Sequence, residues 1–189
     1  MKKWIALGFA IIAAVMLLLL PDTPSKQYYH HQGNIFGTYY NIRYEGNEDL
    51  HEAIQQRLQD FDKSLSMFNP NSVISKVNRN ENVVTDSLFE QMYREAHAIS
   101  NLSDGAFDIT VRPLVNAWGF GNRSQESGSR NQDVNIDSIK AFVGYEKVRL
   151  VNHRLLKTDE RITLDASAIA KGYACDVVAD LLRENGCKN

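Results

Sequence analysis

Cysteine is scarce in this chain of 189 residues: Cys175 and Cys187 are the whole complement. Two cysteines do not make a disulfide scaffold. If both lie on or just past one helix, their separation at 1.5 Å per residue is about 18 Å, against a limit of roughly 7 Å for a bridge. Both are therefore expected as free thiols. A surplus of one charge is lacking too, since 21 Lys and Arg stand against 23 Asp and Glu for a formal net charge of −2. With no basic cluster on one face, nothing points to a nucleic-acid partner. No G-x-G-x-x-G follows a strand, and there is no Walker A loop, no C-x-x-C and no H-E-x-x-H, which removes the commonest nucleotide, dithiol and zinc-hydrolase readings. Gly119-Phe120-Gly121 is too short for a dinucleotide fingerprint. No Ser, His and acid can be grouped as a triad, and no internal repeat is visible.

One long uncharged apolar run is present, at residues 4–20, preceded by Lys2 and Lys3. It reaches the roughly 17-residue lower limit for a spanning helix, and the positive end keeps to the cytoplasm, so the rest of the chain is expected outside it. The run passes from four leucines into Pro21-Asp22-Thr23-Pro24 with no A-x-A-like cleavage pattern and no cysteine to carry a lipid. An uncleaved signal anchor over residues 1–20 is favoured over a signal peptide, with residues 21–33 as a polar linker. Adjacent His30 and His31 in an extended linker point apart, which disfavours a metal site there.

The remaining 43% hydrophobic chain is enough for one ordinary domain. "NIFGTYYNIRYEG" alternates as a strand interrupted near Gly37, where another group can approach the backbone. Leu50, Ala53, Ile54, Leu58, Phe61 and Leu65 recur at helical spacing, predicting an amphipathic helix over 48–66 with His51 on its solvated side. Asn69-Pro70-Asn71-Ser72 is a turn that caps a short helix over 73–77. Asp86 or Ser87 caps a second long helix, which Asp104-Gly105 ends. "GAFDIT" opens as a strand, and Pro113 opens a short helix. Residues 122–138 form a polar surface loop. "KVRLVN", "HRLLKT" and "RITLD" predict a three-stranded antiparallel meander with turns at Asn152-His153 and Asp159-Glu160. A last helix runs to Asn185 and stops at Gly186. Strands, helices, strands and a helix in that order predict an α+β domain with an antiparallel or mixed sheet and packed helices.

Chemistry concentrates in "LDASAIAKGYACD", residues 164–176. Ala166, Ser167, Ala168, Ala170, Gly172 and Ala174 bury little area, so something large is expected near this backbone. A helix start carries unpaired N–H groups and partial positive charge, suited to phosphate. Asp165 either caps that start or faces a ligand, and Lys171 is either a solvated residue or a charge over the same end. Asp108 sits between Phe107 and Ile109, where a carboxylate needs a partner or ligand, and Thr110 shares its face. Aromatic residues gather at Phe36, at Met67-Phe68, and at Trp118 with Phe120. With a phosphate-ready helix start, they suit a flat ring bearing phosphates, a nucleotide or flavin.

"GAFDITVRPLVNAWGFG" and "LDASAIAKGYACD", with "IFGTYYNIRY" and "LSMFNPNSVISKVN" before them in order, resemble the FAD:protein FMN transferases, the ApbE family of flavin transferases. The resemblance runs from about residue 33 to the end. It implies an exported enzyme that uses FAD and Mg²⁺, moves FMN onto a Thr or Ser hydroxyl of a target protein, and releases AMP. Implied targets are subunits of membrane electron-transfer complexes such as sodium-pumping NADH:quinone reductase and Rnf, with the domain facing the periplasm from the bacterial inner membrane. By the resemblance, Phe36 stands where many members place methionine against the flavin, and Phe68 is an aromatic FAD neighbour. Ala106, Phe107 and Asp108 match an FAD-contacting trio, Asp165 and Lys171 match FAD-binding positions, and Ala168 offers a backbone carbonyl to Mg²⁺. Members of the family are longer, and their second half carries an Asp and a Thr for Mg²⁺ and a histidine-containing segment near the flavin. Residues 34–189 thus correspond to the N-terminal part of a transferase domain and are expected to be inactive alone. Two other activities suit the same parts: an FAD pyrophosphatase in which water attacks, and a non-catalytic flavin-binding protein.

Overall fold

The computed structural model describes residues 27–120 and 135–188. The apolar run 4–20 and most of the polar loop 122–138 lie outside them, and no helix among the described residues is long and apolar enough to cross a membrane. Strand β1 (Gln27–Ile35) pairs antiparallel with β2 (Thr38–Gly46), Ile35 opposite Thr38. The intervening Phe36 and Gly37 have φ of 54° and 69°, the two left-handed residues of a tight hairpin turn. Gly37 is thus the turn itself and not an interruption inside a strand. Residues 27–33, read as linker from their polarity, are the first strand, because pairing with the strongly β-forming Tyr39-Tyr40-Asn41-Ile42 outweighs their own composition.

Helix α1 (His51–Leu65) buries Ile54, Leu58, Phe61 and Leu65, the stripe that the spacing predicts. His51 is half-buried, its ring 4.5 Å from that of His31, and it is not on the solvated side. Helix α2 (Val73–Asn78) is capped by Ser72, whose side chain accepts from Ser75 N–H. Helix α3 (Ser87–Leu102) is capped by Asp86, which accepts from Phe89 N–H at 2.8 Å. Its end closes where Gly105, at φ 78°, donates to Ser100 C=O. Helix α4 (Arg112–Ala117) carries Pro113 in its first turn, and α5 (Ile136–Lys140) is a short helix capped by Asn135.

Two expectations of extended structure fail. "GAFDIT" is irregular, because Asp108 ties its own Thr110 in a turn, and the stretch joins a ladder only at Val111, which bridges Thr163 in parallel. The meander has two strands, β3 (Val148–Val151) and β4 (Arg154–Lys157); "RITLD" supplies that single bridge and is not a third strand. Helix α6 (Ala170–Glu184) packs on α1, and beyond it Lys188 bridges Glu45 antiparallel. One apolar cluster joins Phe61, Phe89, Met92, Ile109, Ile162 and Leu164; another joins Tyr44, Ile54, Leu58, Val178 and Leu181 beneath the β1–β2 hairpin. The result is the α+β arrangement predicted, with two antiparallel hairpins. Both cysteines are free thiols.

Candidate flavin site

The two motif stretches lie side by side. Asp165 N–H donates to Ile109 C=O at 2.6 Å, and the Val111–Thr163 bridge continues the contact. Asn78, at the end of α2, locks the second stretch from the other side. Its amide donates to Leu164 C=O at 2.9 Å and accepts from Leu164 N–H at 2.7 Å, so one side chain mimics a strand partner. Sequence reasoning missed Asn78, because an amide that replaces a backbone partner leaves no spacing signal.

Asp165 does not cap α6. The helix starts five residues later, with Ile169 at the cap position and no side-chain cap bond. Asp165 Oδ1 accepts from Ser167 N–H at 2.8 Å, a local turn that bends the chain before the helix. In the turn that follows, Ile169 and Ala170 donate to Ala166 C=O, and Tyr173 donates to Ile169 C=O. The carbonyl of exposed Ala168 accepts no backbone hydrogen bond. One turn therefore presents an oxygen acceptor beside the helix start and the exposed Lys171.

Phe36, Phe68, Ser167 and Lys171 converge on a small cleft of about 80 Å³. Phe36 and Lys171 also line a wider groove of about 510 Å³ between the β1–β2 hairpin and α6. Phe36 is anchored on Phe61, ring centroids 5.2 Å apart, while Phe68 is 60% exposed and free to take a ring against its face. Phe68 is held at that position from below: Ser66 Oγ accepts from its N–H, Ser72 Oγ donates to Ser66 C=O, and Asn69 donates to Asp62. Gly37 keeps the hairpin turn against it, since a Cβ there would stand 3.5 Å from the Phe68 ring.

The Ala106–Asp108 trio is brought beside the second motif but not into these clefts. Asp108 spends its carboxylate on three bonds: Oδ1 accepts from Thr110 N–H and Oγ–H, each at 2.7 Å, and Oδ2 from Tyr145 N–H at 2.8 Å. Thr110 Oγ accepts in turn from Gly144 N–H. Phe107 is half-buried on the core, and Ala106 is exposed. Trp118 and Phe120 are 69% and 83% exposed, outside any aromatic cluster among the described residues.

The ApbE family profile matches residues 36–189. The chain belongs to the ApbE family. It is 30% identical over its full length to an FAD:protein FMN transferase of Vibrio cholerae, of which it covers 58%, and 31% identical, again over its full length, to one of Haemophilus influenzae, also covering 58%. In three dimensions it is similar to the flavin transferase ApbE from Vibrio cholerae, with a TM-score of 0.79 and 31% identity over 87% of this chain and 56% of that one. The chain thus spans a little more than half the length of the relatives it matches. Its fold is the ApbE-like α+β fold.

The residues present fit a divalent cation in part. An exposed, unpaired carbonyl at Ala168 is a hard oxygen donor of the type Mg²⁺ takes, beside the Asp165 carboxylate three residues earlier. Among the described residues no group of three His, Cys, Asp or Glu side chains completes a cage.

Proposed function

We propose that the whole protein to which this chain corresponds is an Mg²⁺-dependent FAD:protein FMN transferase. It moves FMN from FAD to a threonine or serine hydroxyl of a target protein and releases AMP. The observation that carries the reading is the Asp165 N–H to Ile109 C=O bond, which sets the two family motifs edge to edge beside an aromatic-lined cleft.

In this reading Phe36 and Phe68 flank the isoalloxazine ring, and Lys171 and the first turn of α6 face the pyrophosphate. Asp165 shapes the turn that aims Ala168 C=O at the cation site. The incoming hydroxyl oxygen forms a bond to the FMN phosphorus as the bond from that phosphorus to the AMP oxygen breaks. The hydroxyl proton leaves to solvent or a base, and AMP departs with the electron pair. In such a loose transition state, positioning and neutralisation of charge supply most of the rate. Mg²⁺, held by Ala168 C=O together with ligands from the remainder of the protein, would neutralise the pyrophosphate oxygens. Asp108, whose lone pairs are committed to Thr110 and Tyr145, holds the first motif in shape.

The reading includes an anchor at residues 4–20, a domain facing the periplasm, and targets among subunits of membrane redox complexes. Incubating the full-length protein with FAD, Mg²⁺ and such a subunit tests it. A fluorescent, covalently flavinylated target together with AMP is the expected result. FMN and AMP without labelled target would replace transfer by hydrolysis, and no product from FAD would overturn both.

A further inference from the structure

The largest groove among the described residues, about 700 Å³, lies between α3 and the β3–β4 turn. It shares no lining residue with the clefts at Phe36 and Lys171. Its volume is that of a small-molecule site.

The groove is organised around His153. Asn152 and His153 form the two-residue turn of the hairpin, with φ of 48° and 58°. Such a turn favours glycine at its second position, and a histidine there needs holding in place. It is held twice: His153 C=O accepts from Thr85 N–H at 2.8 Å, and Nδ1 meets Glu90 Oε1 at 2.7 Å. Glu90 is buried and fully engaged, since Thr85 Oγ–H and Arg94 bond the same carboxylate at 3.0 and 2.6 Å. Its negative charge is consumed within the wall. With Glu90 ionised, the His153 proton sits on Nδ1, and Nε2 belongs to a ring that is 72% exposed.

The other polar groups are donors. Arg149 lines the groove and has no ion-pair partner among the described residues. His97 Nδ1 accepts from the Asn101 amide at 2.9 Å, which leaves its ring proton on Nε2. A guanidinium, an imidazole N–H and a second imidazole that exchanges a proton at Nε2 match a phosphate group, whose own second proton titrates near neutrality. Neutral His153 accepts from a protonated phosphate oxygen, and charged His153 donates to an ionised one.

We propose that this groove is a binding site for a phosphate monoester, recognised by Arg149 with His97 and His153, and that Glu90 is the positioning residue for His153. The proposal stands independently of flavin transfer.

The imidazole NMR signals of His97 and His153 are followed in the full chain, and in Lys171→Ala to remove binding at the flavin site, during titration with inorganic phosphate and with phenyl phosphate. Both signals should shift saturably in both proteins, with phenyl phosphate the tighter probe. Arg149→Ala, an exposed substitution, should weaken binding by about ten-fold or more. Glu90→Gln should move the pH profile of the His153 signal, and His153→Gln should abolish the response of His97 at the same probe concentration. Equal affinity for the two probes would reduce the site to one for free phosphate. Absence of a saturable shift with either, or a shift unchanged in Arg149→Ala, would overturn the proposal.

Discussion

Asp165 and Ile109, fifty-six positions apart in sequence, are joined by a 2.6 Å bond from the Asp165 N–H to the Ile109 carbonyl. This backbone contact means that the Asp165 side chain is free of any role in joining the motifs. It is spent on Ser167 and on the space before α6. Asp165→Ala should therefore leave the two stretches adjacent while relaxing the turn that carries Ala168. FAD affinity of the full-length protein, read by flavin fluorescence quenching, should fall while the melting temperature changes little. Unchanged FAD affinity would remove Asp165 from the site.

Lys171 is exposed and makes no ion pair among the described residues, so its removal costs the fold little. Lys171→Ala should weaken FAD binding by about ten-fold, the scale of one charge-assisted contact to phosphate. Riboflavin, which lacks phosphate, should bind both proteins alike. A parallel loss for riboflavin would assign Lys171 to the ring and not to the pyrophosphate.

Asp108 behaves differently, because its three acceptor bonds hold the turn at Thr110 to the Gly144-Tyr145 backbone. Asp108→Ala leaves those donors unpaired and should cost about 1–3 kcal/mol in chemical denaturation. FAD binding should then fall along with stability. Full stability with lost FAD binding would instead make Asp108 a direct ligand contact.

Gly37 stands at φ 69° with the Phe68 ring ahead of it. Gly37→Ala forces a Cβ into the left-handed region and should destabilise by roughly 1–2 kcal/mol. Urea denaturation checks the value, and a neutral result would mean that the hairpin turn rearranges.

Asp159 carries a sharp acid dependence. The bidentate Arg161 guanidinium, first by its side-chain hydrogen bonds and then through the backbone bond, holds the carboxyl at about 2, against an ordinary 3.8. A carboxylate depressed in this way contributes stability that is complete above about pH 4 and is lost as pH falls toward 2. NMR titration should place Asp159 near 2, and Arg161→Met should return it toward 3.8. Arg161 also lies 3.7 Å over the Phe142 ring, so methionine retains much of the packing.

Helices were legible in the sequence because Ile54, Leu58, Phe61 and Leu65 repeat at the helical period, and because Ser72 and Asp86 cap by side chains that name themselves. The first strand was not, since Gln27 to Gly33 carries no alternation of its own and is fixed by its partner. "RITLD" has the pattern of a strand but bonds to Asn78 and Ile109, which no local pattern reports. Of the site, Phe36, Phe68, Asp165, Ala168 and Lys171 were named from motif resemblance. Their convergence depends on the hairpin turn and on the late start of α6, both long-range outcomes.

Gly172 sits in the first turn of α6, and a Cβ added there would meet nothing within 4 Å. The described fold thus places no steric demand for glycine at this position, although glycine in a helix gives up about 0.5–1 kcal/mol relative to alanine. The vacancy is a sacrifice of stability at the rim of the flavin cleft. Alanine at 172 should melt later than the wild-type chain, and selection for the hardiest protein would part company there with selection for the one that works.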